Sequence, residues 1–527
     1  MKFISNLIIA ICVFSVGVFN AYGANLPKAN PYLAANTLAI THVDMGQTDS
    51  YPYSLPKGTY NIDLTKTPAV NGGPVNIMTL ASTDPNYMWG VSSNGITYIN
   101  SANGIWQQVA QIEVPGVKFF SAEANRQALG KPFDNIKEIE NAVKEKYGVN
   151  GLERLANGVY SVVDSDNYVY ANYGSTIYVF GLVDKNDPAK GIQIIRSLDF
   201  KKVADNDVCR GISITYDGKI ILLGAQTLIV MNRDFTGDTH KIKFRSRENT
   251  KANKEEITNS LAVDENNGIY VASNKKMYKI VWTGSKLSRD EADGAWSAFY
   301  DTGEQPPVIK LGNGTGSTPT LMGYNQDQDR LVVITDGANR MKLVAFWRDE
   351  IPKKFKQIPG TKSRRIAGQI EVTCGFKKLP KFIQSEQSVV VNGYGAFVVN
   401  NIGTQGHKDV LVGVMALGPV YPPPQGIERF EWDVARHEWR SVWSNNDVVS
   451  TSMVPVVSIP ENMVLVNGYT KKDGWEVTGL DWDTGAVVHR TIFGQTNYGN
   501  GAYALLEIYP DNNLIFNSIG GPFRIQY

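Results

Sequence analysis

Six short polar clusters are spaced along the chain like the openings of similar strands: Cys209-Arg210-Gly211, Thr258-Asn259-Ser260, Ser317-Thr318-Pro319-Thr320, Ser385-Glu386-Gln387-Ser388, Ser450-Thr451-Ser452 and Gly499-Asn500-Gly501. Small and polar residues at such positions suit a wetted pocket better than an apolar core. Arg210, Asn259, Ser317, Thr318, Glu386, Ser452 and Asn500 are therefore the candidate ligand-binding residues. Glu386 is the single carboxylate among them, and a carboxylate away from bulk water needs a cation or strong hydrogen-bond donors. A bound cation is one answer and Arg210 is the other. Ser317 to Thr320 follow a glycine-rich stretch, and with Arg364-Arg365 later in the same repeat they offer hydroxyls and guanidiniums to an anion.

A repeat of about 50 residues must carry these clusters. Asn259-Ser-Leu-Ala-Val-Asp264 runs to a turn at Gly268, then Ile269-Tyr-Val-Ala272 and Met277-Tyr-Lys-Ile280. The stretches from Gly211 through Asp217 to Met231, and from Asn157 through Asp164 to Phe180, have the same grammar of strand, Asp-containing turn, strand, short turn, strand. Pro460-Glu-Asn-Met-Val-Leu465 is echoed 50 positions on by Pro510-Asp-Asn-Asn-Leu-Ile515. Val, Ile, Leu and Tyr fill the strands, as half-buried sheet requires. The reading is an all-β chain: a single β-propeller of seven to eight four-stranded blades, near 86–117, 157–199, 209–245, 257–302, 317–372, 386–443, 450–493 and 500–527. The last repeat is short, so a strand near 60–64 or 75–80 is expected to complete its sheet, and a merged first and last blade would make seven. Closure removes exposed sheet edges. In a propeller the first strand of each blade lines the central channel, which gathers the polar clusters around one axis.

One stretch breaks the pattern. Residues 134–148 place Ile136, Ile139, Val143 and Tyr147 on one helical face, with Asp134 suited to the N-cap and Gly148 to the stop. An amphipathic helix is expected in an insertion, packed across one end of the propeller or serving as a lid.

The N-terminus has the three parts of a secretory signal: Lys2, an apolar run of 13 residues at 7–19, and Ala21-Tyr22-Gly23 before the cleavage point. The run is short of the ~20 residues a spanning helix needs. A signal peptide at 1–23, a propeller domain at 24–527, a secreted or periplasmic location and no membrane span after cleavage are expected. Loss of Lys2 takes the formal charge from +1 to about zero, which gives no electrostatic ground for a nucleic-acid partner. Cys209 and Cys374 remain in the mature chain and are expected as two separate buried thiols. The five histidines, His42, His240, His407, His437 and His489, fall on connecting segments or outer strands and are expected at the surface.

Asn259-Ser-Leu-Ala-Val-Asp264 with Gly268-Ile-Tyr-Val-Ala-Ser273 resembles the repeat of the SMP-30/gluconolactonase, strictosidine-synthase-like and NHL propellers. That resemblance implies a channel calcium held by Glu, Asn and Asp oxygens, with Asn259 at the position of an Asn ligand. Glu386 and Asn500 are the channel-register oxygens that would join it, and such hard donors suit calcium. The ion would polarise an ester or lactone carbonyl and activate water. The hydrolases also carry an acidic residue in the first blade's inner strand, and Tyr87-Met-Trp-Gly-Val-Ser-Ser93 offers none. Asp481-Trp482-Asp483-Thr484-Gly485 resembles a quinoprotein repeat, without the Trp that usually follows. The leading expectation is an exported propeller that binds a small molecule in its channel, with divalent-metal-assisted ester or lactone hydrolysis as its possible chemistry. The alternatives are a non-enzymatic interaction propeller of the cell envelope and a quinoprotein dehydrogenase.

Overall fold

The computed structural model describes residues 26–68, 70, 78–93, 95–117, 127, 130–147, 157–158, 160–244, 254–306, 310, 312–324 and 329–527. The expected leader at 1–23 lies outside them. No helix among the described residues is long and apolar enough to cross a membrane.

The chain forms a β-propeller. Seven sheets have at least four strands and an eighth has three. The inner strands, in order, are Met78–Ala81, Val162–Val163, Cys209–Ile214, Ile257–Val263, Thr320–Met322, Val390–Asn392, Val456–Ser458 and Leu506–Ile508. They open blades 1 to 8. Neighbouring strands within a blade pair antiparallel, as in Gly211↔Leu223 and Leu223↔Leu228 of blade 3. The apolar side chains of adjacent blades interdigitate as continuous cores, with Ile212, Ile221, Val230, Val263 and Val271 in one of them.

The Asp-containing turns do two jobs. Asp264 Oδ1 accepts from the backbone N–H of Asn266 and Gly268, and the Tyr270 hydroxyl donates to Oδ2 at 2.6 Å. Asp164 and Tyr170 repeat the arrangement. Asn267 and Asn167 occupy the left-handed region of the same turns, which Asn tolerates. Each reaches the preceding blade: Asn267 Oδ1 accepts from Tyr216 N–H, and Asn167 Oδ1 from the Trp89 indole. The repeat thus specifies both the hairpin and its neighbour.

Two expectations are corrected at the closure. No N-terminal strand completes the last sheet, which keeps three strands among the described residues. The strand Gly58–Asn61 instead pairs with Val487–Gly494 on the outside of blade 7, and Met78–Ala81 opens blade 1. The ring closes by side-chain contacts between the first and last sheets. Thr79 N–H donates to Glu507, the Trp106 indole to Pro522 O at 2.8 Å, and Arg524 to Ser101 O at 2.7 Å.

Residues 30–51 form a hub that runs around the axis at the far ends of the inner strands. Its carbonyls accept, in chain order, from Ala81 (to Leu38), Val163 (to Ala39), Val263 (to Met45), Leu321 (to Gly46), Val391 (to Thr48) and Val457 (to Asp49), at 2.8 to 3.0 Å. Asn30 Nδ2 donates to Ile214 O in blade 3, and the Tyr51 hydroxyl to Leu506 O in blade 8. A chain that follows a ring with its carbonyls outward must bend repeatedly. Leu38, His42, Val43, Gln47 and Asp49 all have positive φ, between 55° and 75°. For a β-branched residue such as Val43 this is a true outlier, held because every blade grips the segment.

The expected helix is present as Ile136–Tyr147 (α1). Asn135, not Asp134, caps it: Asn135 Oδ1 accepts from Glu138 N–H at 3.1 Å, and the Glu138 carboxylate accepts in return from Asp134 N–H. The arrangement is close to a capping box, with the return bond one residue before the cap. Ile139 and Val143 pack with Leu411, Val412 and Met415 of a second helix, Val410–Ala416 (α2), inserted in blade 6. Ala502 and Tyr503, at the opening of blade 8, belong to the same cluster. The helix pair therefore covers the end of the propeller opposite the hub.

Candidate functional site

Inner strands begin at the helix-covered end, and there the structure draws together residues from five blades. Tyr160 lies just before the inner strand of blade 2. Its hydroxyl lies against Thr318 of blade 5, and it feels the charges of Glu386 in blade 6 and Arg210 in blade 3. Burial pushes this phenol up to about 12. Tyr503, from blade 8, places its hydroxyl against the Glu386 carboxylate. Asn401 Oδ1 accepts from Glu386 N–H at 3.0 Å and fixes that backbone.

Glu386 keeps a partly exposed surface while protein surrounds it, the situation of a side chain that looks into an internal channel. Burial raises its carboxyl to about 8, against the opposing effects of Tyr503 and Lys310. At neutral pH it is mostly protonated, able to donate as well as accept. Lys310 is buried, donates to Gln384 Oε1 at 3.1 Å, and is pushed down to about 8 by the same loss of water. Among the buried polar atoms with no partner in the described residues are Arg210 Nε, Glu386 Oε1 and Asn401 Nδ2. Orphaned groups of this kind cost free energy unless something meets them.

The sequence-derived set divides. Arg210, Thr318 and Glu386 share the Tyr160 neighbourhood, and Ser452 sits at its edge, its Oγ accepting from Tyr503 N–H at 3.4 Å. Ser317 is committed elsewhere, hydrogen-bonded to Thr335 Oγ1 at 2.7 Å and donating to Gln387 O. It joins blades 5 and 6. Asn500 is fully buried and its Oδ1 accepts from Ala502 N–H, which shapes the turn that carries Tyr503. Asn259 donates to Thr258 Oγ1. Of the three expected metal-ligand oxygens, Asn500 Oδ1 is thus engaged in a turn. Among the described residues no three His, Cys, Asp or Glu side chains group as a metal site. Arg364 and Arg365 do not join Ser317 to Thr320: they open the outer strand of blade 5, where Arg365 lies 5.0 Å from the Trp296 ring centre.

Tyr160, Tyr503 and Lys310 were not singled out in the sequence, and neither was His42 as a channel residue. The expectation of surface histidines is corrected for two of the five. His489 is buried in blade 7 between Pro56 O and Thr491 Oγ1, both at 2.7 Å. His42 is buried on the hub, 2.9 Å from Asp49 Oδ2. Cys209 and Cys374 are both buried and free. In the quinoprotein-like stretch, Asp481 Oδ1 accepts from Thr484 N–H and Oγ1 to shape the turn. The Trp482 ring covers Gly395 and stacks on Arg429, 5.0 Å away, so the stretch docks blade 7 on blade 6.

The class defined by fold and site is a β-propeller with a hub at the far ends of its inner strands and a cluster of buried polar side chains at the helix-covered end. The sequence is 33% identical over 381 residues to an uncharacterized protein of Archaeoglobus fulgidus, covering 70% of each chain, and it belongs to the same family as that protein. No family model matches. Solved structures with a similar course of chain include a europium-containing methanol dehydrogenase (TM-score 0.49, 9% identity, 91% of this chain and 88% of that one). Another is Sqt1 of Saccharomyces cerevisiae (0.42, 8%, 90% and 100%). A putative 6-phosphogluconolactonase of Bacteroides uniformis is a third (0.38, 9%, 78% and 93%). At these values the likenesses do not bear on chemistry.

Proposed function

We propose that this is an exported propeller that holds a small organic acid in the helix-covered mouth of its channel. One observation carries the reading: Arg210 Nε, Glu386 Oε1 and Asn401 Nδ2 are buried and unpartnered around the Tyr160–Thr318 contact. A carboxylate-bearing ligand supplies what each lacks. It accepts from the guanidinium, from the asparagine amide and from the protonated Glu386 carboxyl. The leader-like residues 1–23 support the exported part of the reading.

The test is thermal melting of the full mature chain with acetate, L-lactate and D-gluconate. A ligand at about 100 times its Kd adds roughly 2.7 kcal/mol of stability. Arg210→Met should abolish the shift while leaving the unliganded melting temperature near that of the wild type. Binding should weaken as pH rises through about 8, because ionised Glu386 repels an anion. No shift with any of the three acids would overturn the reading. A melting temperature that falls on chelation and recovers with calcium would replace it with the metal-bound channel.

A further inference from the structure

The hub brings a second chemical feature to the same channel. His42 Nδ1 lies 2.9 Å from Asp49 Oδ2 and 3.1 Å from Oδ1, and both residues are buried. A carboxylate held on Nδ1 fixes the tautomer with its proton there and leaves the lone pair on Nε2. Nε2 has no partner among the described residues. The imidazole stacks on Tyr160, with ring centres 5.9 Å apart and planes within 24°. Tyr160 is also the residue that faces Thr318, Glu386 and Arg210. His42, Asp49 and Tyr160 all have positive φ, at 63°, 55° and 56°. Such backbone costs on the order of 1–3 kcal/mol per residue and persists where surrounding structure enforces a particular placement. The buried Asp49 carboxylate beneath the ring calls for a hydrogen-bond donor at this position.

We infer that His42 is the general base of a site that hydrolyses a carboxylic ester, with Asp49 as its positioning residue and Glu386, whose charge also reaches Tyr160, as the acid. The inference rests on the organic-acid reading above, since the acid held at the mouth is then the product. His42 Nε2 takes a proton from water as the water oxygen bonds to the ester carbonyl carbon. The carbonyl π pair moves to oxygen, which Arg210 and the Tyr160 hydroxyl stabilise by hydrogen bonding. The pair returns, the bond to the alkoxy oxygen breaks, and that oxygen takes the proton of the Glu386 carboxyl. Transfer of the His42 proton through solvent to Glu386 restores both groups. One water is consumed, and one acid and one alcohol are released.

His42→Asn is the decisive variant. The Asn amide nitrogen sits where Nδ1 sits and keeps the bond to Asp49, the base is gone, and Asn accepts positive φ better than most residues. With p-nitrophenyl acetate as the probe, the wild-type chain should turn over above the buffer rate. His42→Asn should lower kcat by at least ~100-fold and leave KM and the acetate-induced melting shift unchanged. Asp49→Asn should also lower kcat at constant KM, by a smaller factor, and it decides the matter if His42→Asn fails to fold. Absence of wild-type hydrolysis, with the melting shift by acetate intact, would overturn the inference and leave the binding reading standing. Wild-type kcat in a folded His42→Asn would overturn it as well. Absence of any acid-induced shift would remove the binding reading and this inference with it.

Discussion

Glu507 is a carboxyl at the seam between blades 8 and 1, 1% exposed and without a cationic partner among the described residues. Thr79 N–H and Asn517 Nδ2 donate to Oε1, and the Thr79 hydroxyl meets Oε2. Burial raises its pKa from 4.5 to about 8, and these hydrogen bonds only partly oppose the rise. A carboxyl that holds its proton more tightly in the folded chain stabilises the fold at low pH. That contribution is fully present below the free side chain's pKa and is lost as pH rises through the folded value. At about 1.4 kcal/mol per pH unit the whole loss approaches 5 kcal/mol. For a chain of this length the unfolding entropy makes each kcal/mol worth roughly one degree, so the gap is about 5 °C. Glu507→Gln copies the protonated form: its carbonyl accepts where Oε1 does and its amide faces the Thr79 hydroxyl. Melting of wild type and variant by differential scanning should agree near pH ~5, and the variant should melt about 5 °C higher near pH ~9. A gap that does not widen with pH, or a variant less stable than wild type at the alkaline end, would refute the argument that Glu507 is folded in its neutral form.

Asn135→Ala should remove the cap of α1 at a cost of ~1 kcal/mol, read as faster amide exchange in residues 136–140 with the rest of the ring unchanged. Gly395→Ala would put a methyl 2.7 Å from Trp482 Cζ2 and 3.0 Å from Arg429. The displaced indole should cost ~1–3 kcal/mol in denaturant titration. Cys209 and Cys374 should titrate with a thiol reagent as two free groups only after unfolding. Mass spectrometry of the exported chain should find Ala24 at its N-terminus.

The ring was legible because its repeat is written in turn chemistry. Asp264 and Asp164 occupy positions where a side chain must satisfy successive backbone N–H groups, and only a few residue types do that. Register alone brought Arg210, Thr318 and Glu386 to one mouth. Ser317, one position away, shares the register but spends its hydroxyl on joining two blades, a distinction that composition does not carry. Tyr160 and Tyr503 were missed because a tyrosine at a strand opening reads as core. The hub was missed for a deeper reason. Its partners are backbone amides of six separate blades, so its side chains obey no period. Its one visible mark was an apolar run, Leu38 to Met45, interrupted by Thr41, His42 and Asp44. Closure was misread because a short last repeat suggests a borrowed strand, whereas Trp106 of blade 1 and Arg524 of the last sheet join the two sheets with side chains.

The hub also bears on how this family can change. Repeat proteins ordinarily gain or lose units by duplication and deletion, since each unit contacts only its neighbours. Here the carbonyls of Leu38, Ala39, Met45, Gly46, Thr48 and Asp49 meet the blades in the order in which the blades occur in the chain. Loss of any of these six blades would strand an acceptor and put the later pairings out of step, and a gained blade would find no acceptor waiting. The segment acts as a tally of the blades, so their number is locked to its spacing. Variation within the family is thereby directed into the connections, such as those that carry α1 and α2 over the mouth.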